Sequence, residues 1–279
     1  MKKAYILFVV ILMLLFIPDV SPAKNIGNGF YSHGVPVPIS RLRGFVATVD
    51  ADDNNIVLAW LMDNRGGYEL LKIDTSTGAT EEFPTPFPLA GDCPFASILS
   101  SRNKYYAHFN SHFIEFDVKK QEFTFVRKTA PRTAMSMTED DNGIIWSVTY
   151  PHSGLVSYNP QTEEFKDYGQ VYEQNWSQYP RYIAADDKGW IYFALGKTAS
   201  QIIVFDPFTE KVLQMLPESE RKNGSAYVYR DLNGKVYGKA LKKISDEWYE
   251  FYEGKGKKIG KHITVKKKPY IAGMQGLCY

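Results

Sequence analysis

GLVSYNPQTEEFKDY, residues 154–168, alternates apolar and polar side chains, turns at Asn159, and then alternates again. Alternation with a period of two, interrupted by turn residues, predicts a β-hairpin. Four other segments resemble it: ELLKIDTSTGATEEF at 69–83, HFIEFDVKKQEFTFV at 112–126, QIIVFDPFTEKVLQM at 201–215 and, more weakly, WYEFYEGKGKKIGKHI at 248–263. The chain therefore repeats one hairpin along most of its length.

The four strong copies share a turn that begins with Asp or Asn, whose side chain caps the backbone N–H groups that follow. These residues are Asp74, Asp117, Asn159 and Asp206, at spacings of 43, 42 and 47 residues. A second hairpin precedes most copies: VATVDADDNNIVLAW at 46–60, MSMTEDDNGIIWSV at 135–148, IAADDKGWIYFAL at 183–195 and VYRDLNGKVYGKA at 228–240. Four short strands in roughly 45 residues, repeated, predict an all-β fold made of four-stranded antiparallel blades, a β-propeller.

The repeat predicts five blades and a partial sixth. Their approximate ranges are 43–92, 93–130, 131–179, 180–223, 224–268 and the partial unit 269–279. A propeller closes to hide its sheet edges, commonly by pairing strands from the two termini. Two alternatives stay open: the segment 24–42 supplies closing strands to a small ring, or the chain is the front part of a longer, seven-bladed propeller. The one-strand sixth unit favours the second alternative.

The amino terminus has the pattern of a secretory signal peptide. Lys2 and Lys3 precede an apolar run over 4–17, and the small-residue stretch Ser21-Pro22-Ala23 follows. The run is shorter than the roughly 20 residues that span a bilayer, so we expect cleavage after Ala23 rather than a stable membrane anchor. The sequence predicts a secreted or periplasmic protein.

The composition excludes several classes of protein. Hydrophobic residues make up 44% of the chain and aromatic residues 15%, which excludes a disordered chain. Two cysteines, Cys93 and Cys278, exclude a disulfide scaffold and a Cys-rich zinc module, and the sequence leaves open whether they pair. A net charge of +2 argues against a general nucleic-acid binder.

Two consecutive stretches carry a family resemblance. GIIWSVTYPHSGLVSYNPQTEEFKDYG at 143–169 and GWIYFALGKTASQIIVFDPFTEKV at 189–212 have a turn glycine, an aromatic-rich second strand and a third strand that ends in Asn-Pro or Asp-Pro. They resemble the repeats of the virginiamycin B (streptogramin) lyase-like and YVTN-type propellers. The resemblance implies a seven-bladed propeller architecture. It carries over no catalytic residues, because the histidine- and glutamate-based metal site of the lyases has no counterpart here that can be aligned.

Ligands of propellers usually bind where the loops between blades and the loops joining second and third strands converge. Arg132 and Arg181 occupy the same repeat position in those loops, each after a proline, and two guanidinium groups there suit carboxylates or sulfates. Tyr150, Trp176 and Tyr179 lie in the same loops and would serve as aromatic platforms for a sugar. The alternative is that both arginines pair with acids at the edges of their blades.

His112 and His152 lie in equivalent loops of neighbouring blades and are the candidate catalytic residues. Two imidazoles on one rim suit proton transfer or a divalent metal, but the sequence offers no third ligand, so we predict no cofactor. The alternative is a pair of ordinary loop histidines. The acidic turns at Asp50, Asp140 and Asp186 lack the alternating carboxylates of a calcium loop, and turn chemistry explains them.

Two functions follow as hypotheses. The first is an exported propeller that binds an extracellular carbohydrate or protein ligand on its loop face without catalysis. The second is a lyase that acts on an anionic polysaccharide or a lactone. Whether the protein is an enzyme stays open at the level of sequence.

Overall fold

The computed structural model describes residues 24–27, 29–32, 40–63, 67–88, 94–130, 132–221, 223–241 and 247–261. The predicted signal peptide, the predicted sixth unit at 269–279, Cys93 and Cys278 lie outside these residues. The chain divides into two compact units, one up to Ser40 and one from Arg41 onwards. In the first unit, β1 (Lys24–Gly27) and β2 (Phe30–Ser32) pair as an antiparallel hairpin.

The described residues of the second unit form five four-stranded antiparallel blades, the last two of them joined in one eight-stranded sheet, which confirms the predicted fold class. Blade 1 contains β3 (Ser40–Val49), β4 (Asn55–Asp63), β5 (Gly67–Asp74) and β6 (Thr80–Pro84). Blade 2 contains β7 (Ser97–Leu99), β8 (Lys104–Phe109), β9 (His112–Asp117) and β10 (Glu122–Lys128). Blade 3 contains β11 (Thr133–Glu139), β12 (Ile145–Tyr150), β13 (Gly154–Asn159) and β14 (Glu164–Gln170).

Blade 4 contains β15 (Tyr182–Ala185), β16 (Ile191–Lys197), β17 (Gln201–Phe205) and β18 (Val212–Gln214). Blade 5 contains β19 (Gly224–Arg230), β20 (Val236–Ala240), β21 (Trp248–Tyr252) and β22 (Lys255–Gly260), after a short 3-10 turn at Glu218–Glu220. Within each blade the strands pair in the order in which they occur in the chain. No helix formed by the described residues is long and apolar enough to cross a membrane.

The fourth, outermost strand of a blade is more exposed than the strands inside it. Nearly every residue of β11, β12 and β13 is buried, whereas β14 is mostly exposed. The outer strands β6, β10 and β22 are exposed in the same way. Inner strands are covered on both faces by neighbouring blades, so polar side chains such as Ser147 and Thr149 are buried there together with the apolar ones. The outer strands β6, β10, β14 and β22 face water and carry charged side chains.

Aromatic side chains fill the spaces between successive blades. Trp60 of blade 1 meets Phe109 of blade 2 edge to face, with ring centroids 5.2 Å apart. Phe113 and Tyr158 join blades 2 and 3, with centroids 5.5 Å apart. Two further contacts continue the series: Trp146 of blade 3 with Phe205 of blade 4, and Tyr192 of blade 4 with Phe251 of blade 5. Offset and edge-to-face pairs of this kind add to the free energy of apolar burial.

The turn between the first and second strands has the same hydrogen bonds in all five blades. Asp50, Ser100, Asp140, Asp186 and Asp231 each donate their N–H to the carbonyl four residues later and accept from the N–H three residues later. The side chain of Asp140 accepts from the N–H groups of Asn142 and Ile144 at 2.9 and 3.0 Å. These carboxylates are therefore used by the turns, as the turn interpretation predicts.

Candidate functional site

The loop face of the second unit is the end where blades connect to each other and where second strands turn into third strands. In blade 3 this end carries the turn from Tyr150 to Gly154 and the connection at 171–181 that leads into blade 4. The end of β16 lies beside that connection, because the N–H of Tyr179 donates to the carbonyl of Gly196 at 3.2 Å.

Tyr150 and Tyr179 form a hydrogen-bonded pair on this face. Their ring centroids are 4.7 Å apart and both side chains are half-buried. The hydrogen bond with Tyr179, a second one with Ser177 and the positive charge of Lys197 lower the pKa of Tyr150. The bond between the two tyrosines raises the pKa of Tyr179. The pair therefore has one more acidic and one less acidic phenol.

Two cations lie against the ring of Tyr179. The guanidinium carbon of Arg181 is 5.5 Å from the ring centroid, and the Nζ of Lys197 is 5.7 Å from it. Both side chains are exposed, and neither belongs to an ion pair formed by the described residues. Tyr150, Tyr179, Arg181 and Lys197 are called the tyrosine site below. It combines an aromatic surface, two positive charges and two phenolic hydroxyls.

Buried polar contacts hold the segments of the tyrosine site together. The N–H of Gln178 donates to the carbonyl of Pro151 at 2.8 Å, which ties the connection to the blade 3 turn. Gln178 is fully buried, and its side-chain oxygen accepts a hydrogen bond from the hydroxyl of Ser153. These two contacts fix the backbone at Gln178, the residue before Tyr179. Trp176 lies half-buried in the same connection.

Arg132 has a different environment from Arg181, although the repeat gives both the same position. Its two terminal nitrogens each donate to one oxygen of Asp167 on β14, at 2.7 Å. The side chain crosses Gly154, where an added Cβ would lie 3.0 Å from the arginine Nη1. Arg132 therefore pairs with an acid at the edge of its own blade, which is the alternative that the sequence left open for both arginines. Arg181 lies over Tyr179 instead.

The two candidate catalytic histidines also differ. His112 bonds through Nδ1 to the carbonyl of Asn110 at 2.8 Å, and its ring stacks on Phe87 with centroids 4.2 Å apart. His152 is half-buried, and its buried Nδ1 has no hydrogen-bond partner among the described residues. The same residues contain no group of three or more His, Cys, Asp or Glu side chains that could hold a metal ion.

The sequence predicts Tyr150, Tyr179 and Arg181 as ligand-binding residues, and it predicts Lys197 only as a residue of the same loop face. Lys197 ends β16 and comes one position after the residue that aligns with Tyr150 in the repeat. That position in the repeat is the signal that places it on the loop face. Its closeness to Tyr179 depends on how blade 4 packs on blade 3, which one blade's sequence does not encode.

Comparisons with known proteins bear on the fold. No protein-family model and no curated protein sequence matches the chain. Among solved structures, a catalytically inactive virginiamycin B lyase of Staphylococcus aureus, solved with quinupristin, is similar at 14% identity and a TM-score of 0.54, covering 85% of this chain and 75% of that one.

Two other solved structures are similar over most of this chain. The extracellular domain of a putative one-component system of B. thetaiotaomicron has 13% identity and a TM-score of 0.50, covering 85% of this chain and 29% of that one. Hydrazine synthase of Kuenenia stuttgartiensis has 12% identity and a TM-score of 0.50, covering 83% and 70%. At these identities the likeness concerns the fold alone. The chain is thus a β-propeller protein that shares its fold with virginiamycin B lyase.

Proposed function

We propose that the protein is an exported propeller that binds an acidic carbohydrate at the tyrosine site. One observation carries the proposal: two exposed cations lie on a single tyrosine ring whose hydroxyl is bonded to a second tyrosine. Aromatic rings present an apolar face to the C–H face of a sugar, and guanidinium and ammonium groups pair with its carboxylates or sulfates. A protein ligand stays the alternative partner.

Export rests on two supports. The basic start, apolar run and small-residue stretch of residues 1–23 form the pattern of a signal peptide. One of the proteins with a similar fold is an extracellular domain. A direct check is to express the full chain with a periplasmic reporter and to determine the amino terminus of the exported protein, which we expect at Lys24. An intact amino terminus in the cytoplasmic fraction would contradict export.

The binding test uses the purified protein and polygalacturonate, a polymer of carboxylate-bearing sugars. We expect Arg181→Ala and Tyr179→Ala each to weaken binding about tenfold, which corresponds to about 1.4 kcal/mol. Lys120→Ala is the matched control, because Lys120 is exposed in a turn at the opposite end of its blade. Equal binding by all four proteins, or no binding by the wild type, would contradict the proposal.

Lyase activity is a second candidate, and two observations favour it. Tyr150 is a phenol of lowered pKa beside a cation, and His152 has a buried ring nitrogen without a described partner. A base there would remove the proton α to a uronate carboxylate, and the electron pair would form the new double bond as the β-oxygen leaves with a proton. Incubation with polyuronates, with and without EDTA, tests this by the absorbance of the unsaturated product. Loss of turnover in Tyr150→Phe or His152→Ala would support it, and binding without turnover would contradict it.

A further inference from the structure

We propose that Lys197 is the specificity-determining cation of the tyrosine site, and that a strand bridge between blades 4 and 5 holds it in place. Lys197 would select glycans that carry a carboxylate or a sulfate group over neutral glycans. The inference rests on the proposed function and adds to it the residue that sets the choice of ligand. It also assigns a role to a contact between blades that the fold alone does not explain.

The bridge joins the end of β16 to the start of β19. Gly196 pairs with Ser225, and Lys197 pairs with Gly224. Among the described strand pairs, this is the one that connects two different blades. All other described pairs within the second unit lie inside one blade, so blade packing does not require this bridge.

Gly196 is the point where three segments meet. An added Cβ would lie 2.2 Å from the Oγ and 2.6 Å from the Cα of Ser225, so the approach of the two strands requires glycine at this position. The carbonyl of the same residue accepts the N–H of Tyr179. Blade 4, blade 5 and the segment that carries Tyr179 are therefore connected one residue before Lys197.

The backbone of Lys197 has a φ of 124°, a conformation that residues other than glycine rarely adopt. A glycine at position 197 would adopt this conformation without steric strain. Lysine occupies position 197 in spite of the strain. Its side chain is exposed, so core packing does not explain why a lysine is present there. Strained residues of this kind concentrate at functional sites.

The strained backbone and the strand bridge together determine where the positive charge of Lys197 lies. The Nζ of Lys197 is 5.7 Å from the ring centroid of Tyr179, and its charge acts on Tyr150, whose pKa it helps to lower. Arg132 is neutralised by Asp167. Among the described residues, the positive charge of the tyrosine site therefore comes from Lys197 and Arg181, and the bridge fixes the backbone at Lys197.

The central variant is Lys197→Gly, measured with polygalacturonate for carboxylate, dextran sulfate for sulfate and dextran as the neutral polymer. We expect affinity for the anionic polymer that binds the wild type to fall at least tenfold, while the melting temperature stays the same or rises because the strain is relieved. We expect Lys197→Arg to retain binding, since it keeps the charge.

Two controls separate charge from backbone strain. Lys120→Ala removes an exposed lysine far from the tyrosine site. Glu163→Gly relieves a positive φ of 57° in an exposed turn. We expect neither to change binding. In Gly196→Ala the lysine is kept but the bridge is pushed open, and we expect affinity for the anionic polymer to fall as in Lys197→Gly.

The outcomes distinguish the inference from the proposed function. Wild-type binding that Lys197→Gly leaves unchanged would overturn the role of Lys197 while leaving the tyrosine site as a binding site. A marked fall in melting temperature of Lys197→Gly would also overturn it, since the lysine would then be structural. Absence of wild-type binding to both anionic polymers would overturn both proposals.

Discussion

Asp186 shows how much one side chain contributes to the joint between two blades. It is fully buried, and its Oδ1 accepts from the N–H groups of Lys188 and Trp190, both at 3.0 Å. Its Oδ2 accepts from the hydroxyl of Tyr192 and from the N–H of Glu253, both at 2.9 Å. Glu253 belongs to blade 5, so the carboxylate bonds across the boundary. Burial raises its pKa, and the hydrogen bonds oppose that rise.

We predict that Asp186→Asn lowers the free energy of unfolding by about 2 kcal/mol, because an amide nitrogen cannot accept the bonds that one carboxylate oxygen accepts. Urea denaturation measures the change. Asp74→Asn is the matched control: Asp74 begins an exposed turn, and Asn159 occupies the equivalent position in blade 3. We expect that control to be nearly neutral. Equal effects of the two substitutions would contradict the prediction.

His108 supplies a second prediction at the residue scale. It is fully buried between Ser147 and Thr129, at 3.0 and 3.1 Å, and burial lowers its pKa to about 3, helped by the charges of Arg132 and His112 and opposed by that of Asp167. Below pH 6.5 the unfolded chain therefore binds a proton that the folded protein does not.

Because of this difference, the contribution of His108 to the free energy of unfolding is present in full above pH 6.5. It decreases as the pH falls towards 3, by up to about 1.4 kcal/mol per pH unit. We expect His108→Gln to unfold with a flatter dependence on pH over that range, measured by urea denaturation at a series of pH values. Parallel curves for wild type and variant would show that His108 does not contribute.

At the scale of the element, the turns between first and second strands repeat one backbone conformation with different sequences. The residue at the fourth position has positive φ in every blade: Asp53, Asn103, Gly143, Gly189 and Gly234. The Asn-Gly pairs predict turns from the sequence alone, because both residues tolerate positive φ. The turns of blades 1 and 2 lack glycine, and only the repeat reveals them.

This equivalence predicts the effect of substitutions at Gly189, where φ is 83° and an added Cβ would meet no atom within 4 Å. We expect Gly189→Asn to be nearly neutral, since Asn103 adopts the same conformation in blade 2. We expect Gly189→Val to cost at least about 1 kcal/mol, because β-branched side chains disfavour positive φ. Thermal denaturation of the two variants checks this, and equal melting temperatures would contradict it.

At the scale of the whole molecule, the fold was predictable from sequence and the site only in part. The hairpin repeat shows the blades because alternation and turn chemistry are local. The environments of Arg132 and Arg181 were not predictable, although their repeat positions match. Asp167 stands opposite Arg132 within blade 3, whereas Tyr179 lies beneath Arg181 in a connection of irregular length. Such contacts depend on packing between segments, which repeat alignment does not provide.

A long-range ion pair gives a prediction at this scale. Arg230 at the end of β19 binds Asp141 in the blade 3 turn through two bonds of 2.9 and 2.5 Å, so blades 3 and 5 are joined past blade 4. We expect a double-mutant cycle with Arg230→Ala and Asp141→Ala to give a coupling energy of about 1 kcal/mol, since Arg230 is mostly buried.

The control cycle uses Lys166 and Glu210, an exposed pair at 2.6 Å between blades 3 and 4. We expect its coupling energy to be below about 0.5 kcal/mol and to vanish in high salt. A coupling energy for Arg230 and Asp141 no larger than that of the control would show that the pair does not join the blades energetically.

The pairing of strands in chain order also governs how the protein folds during synthesis. Each blade completes its hydrogen bonds from consecutive strands, so contacts within a blade are local and form early. Packing between blades must wait for the next blade: Trp146, Val148 and Leu155 of blade 3 pack against side chains that are translated later. A nascent chain arrested between blades 3 and 4 therefore exposes this apolar face, which makes it more prone to aggregation than the complete chain.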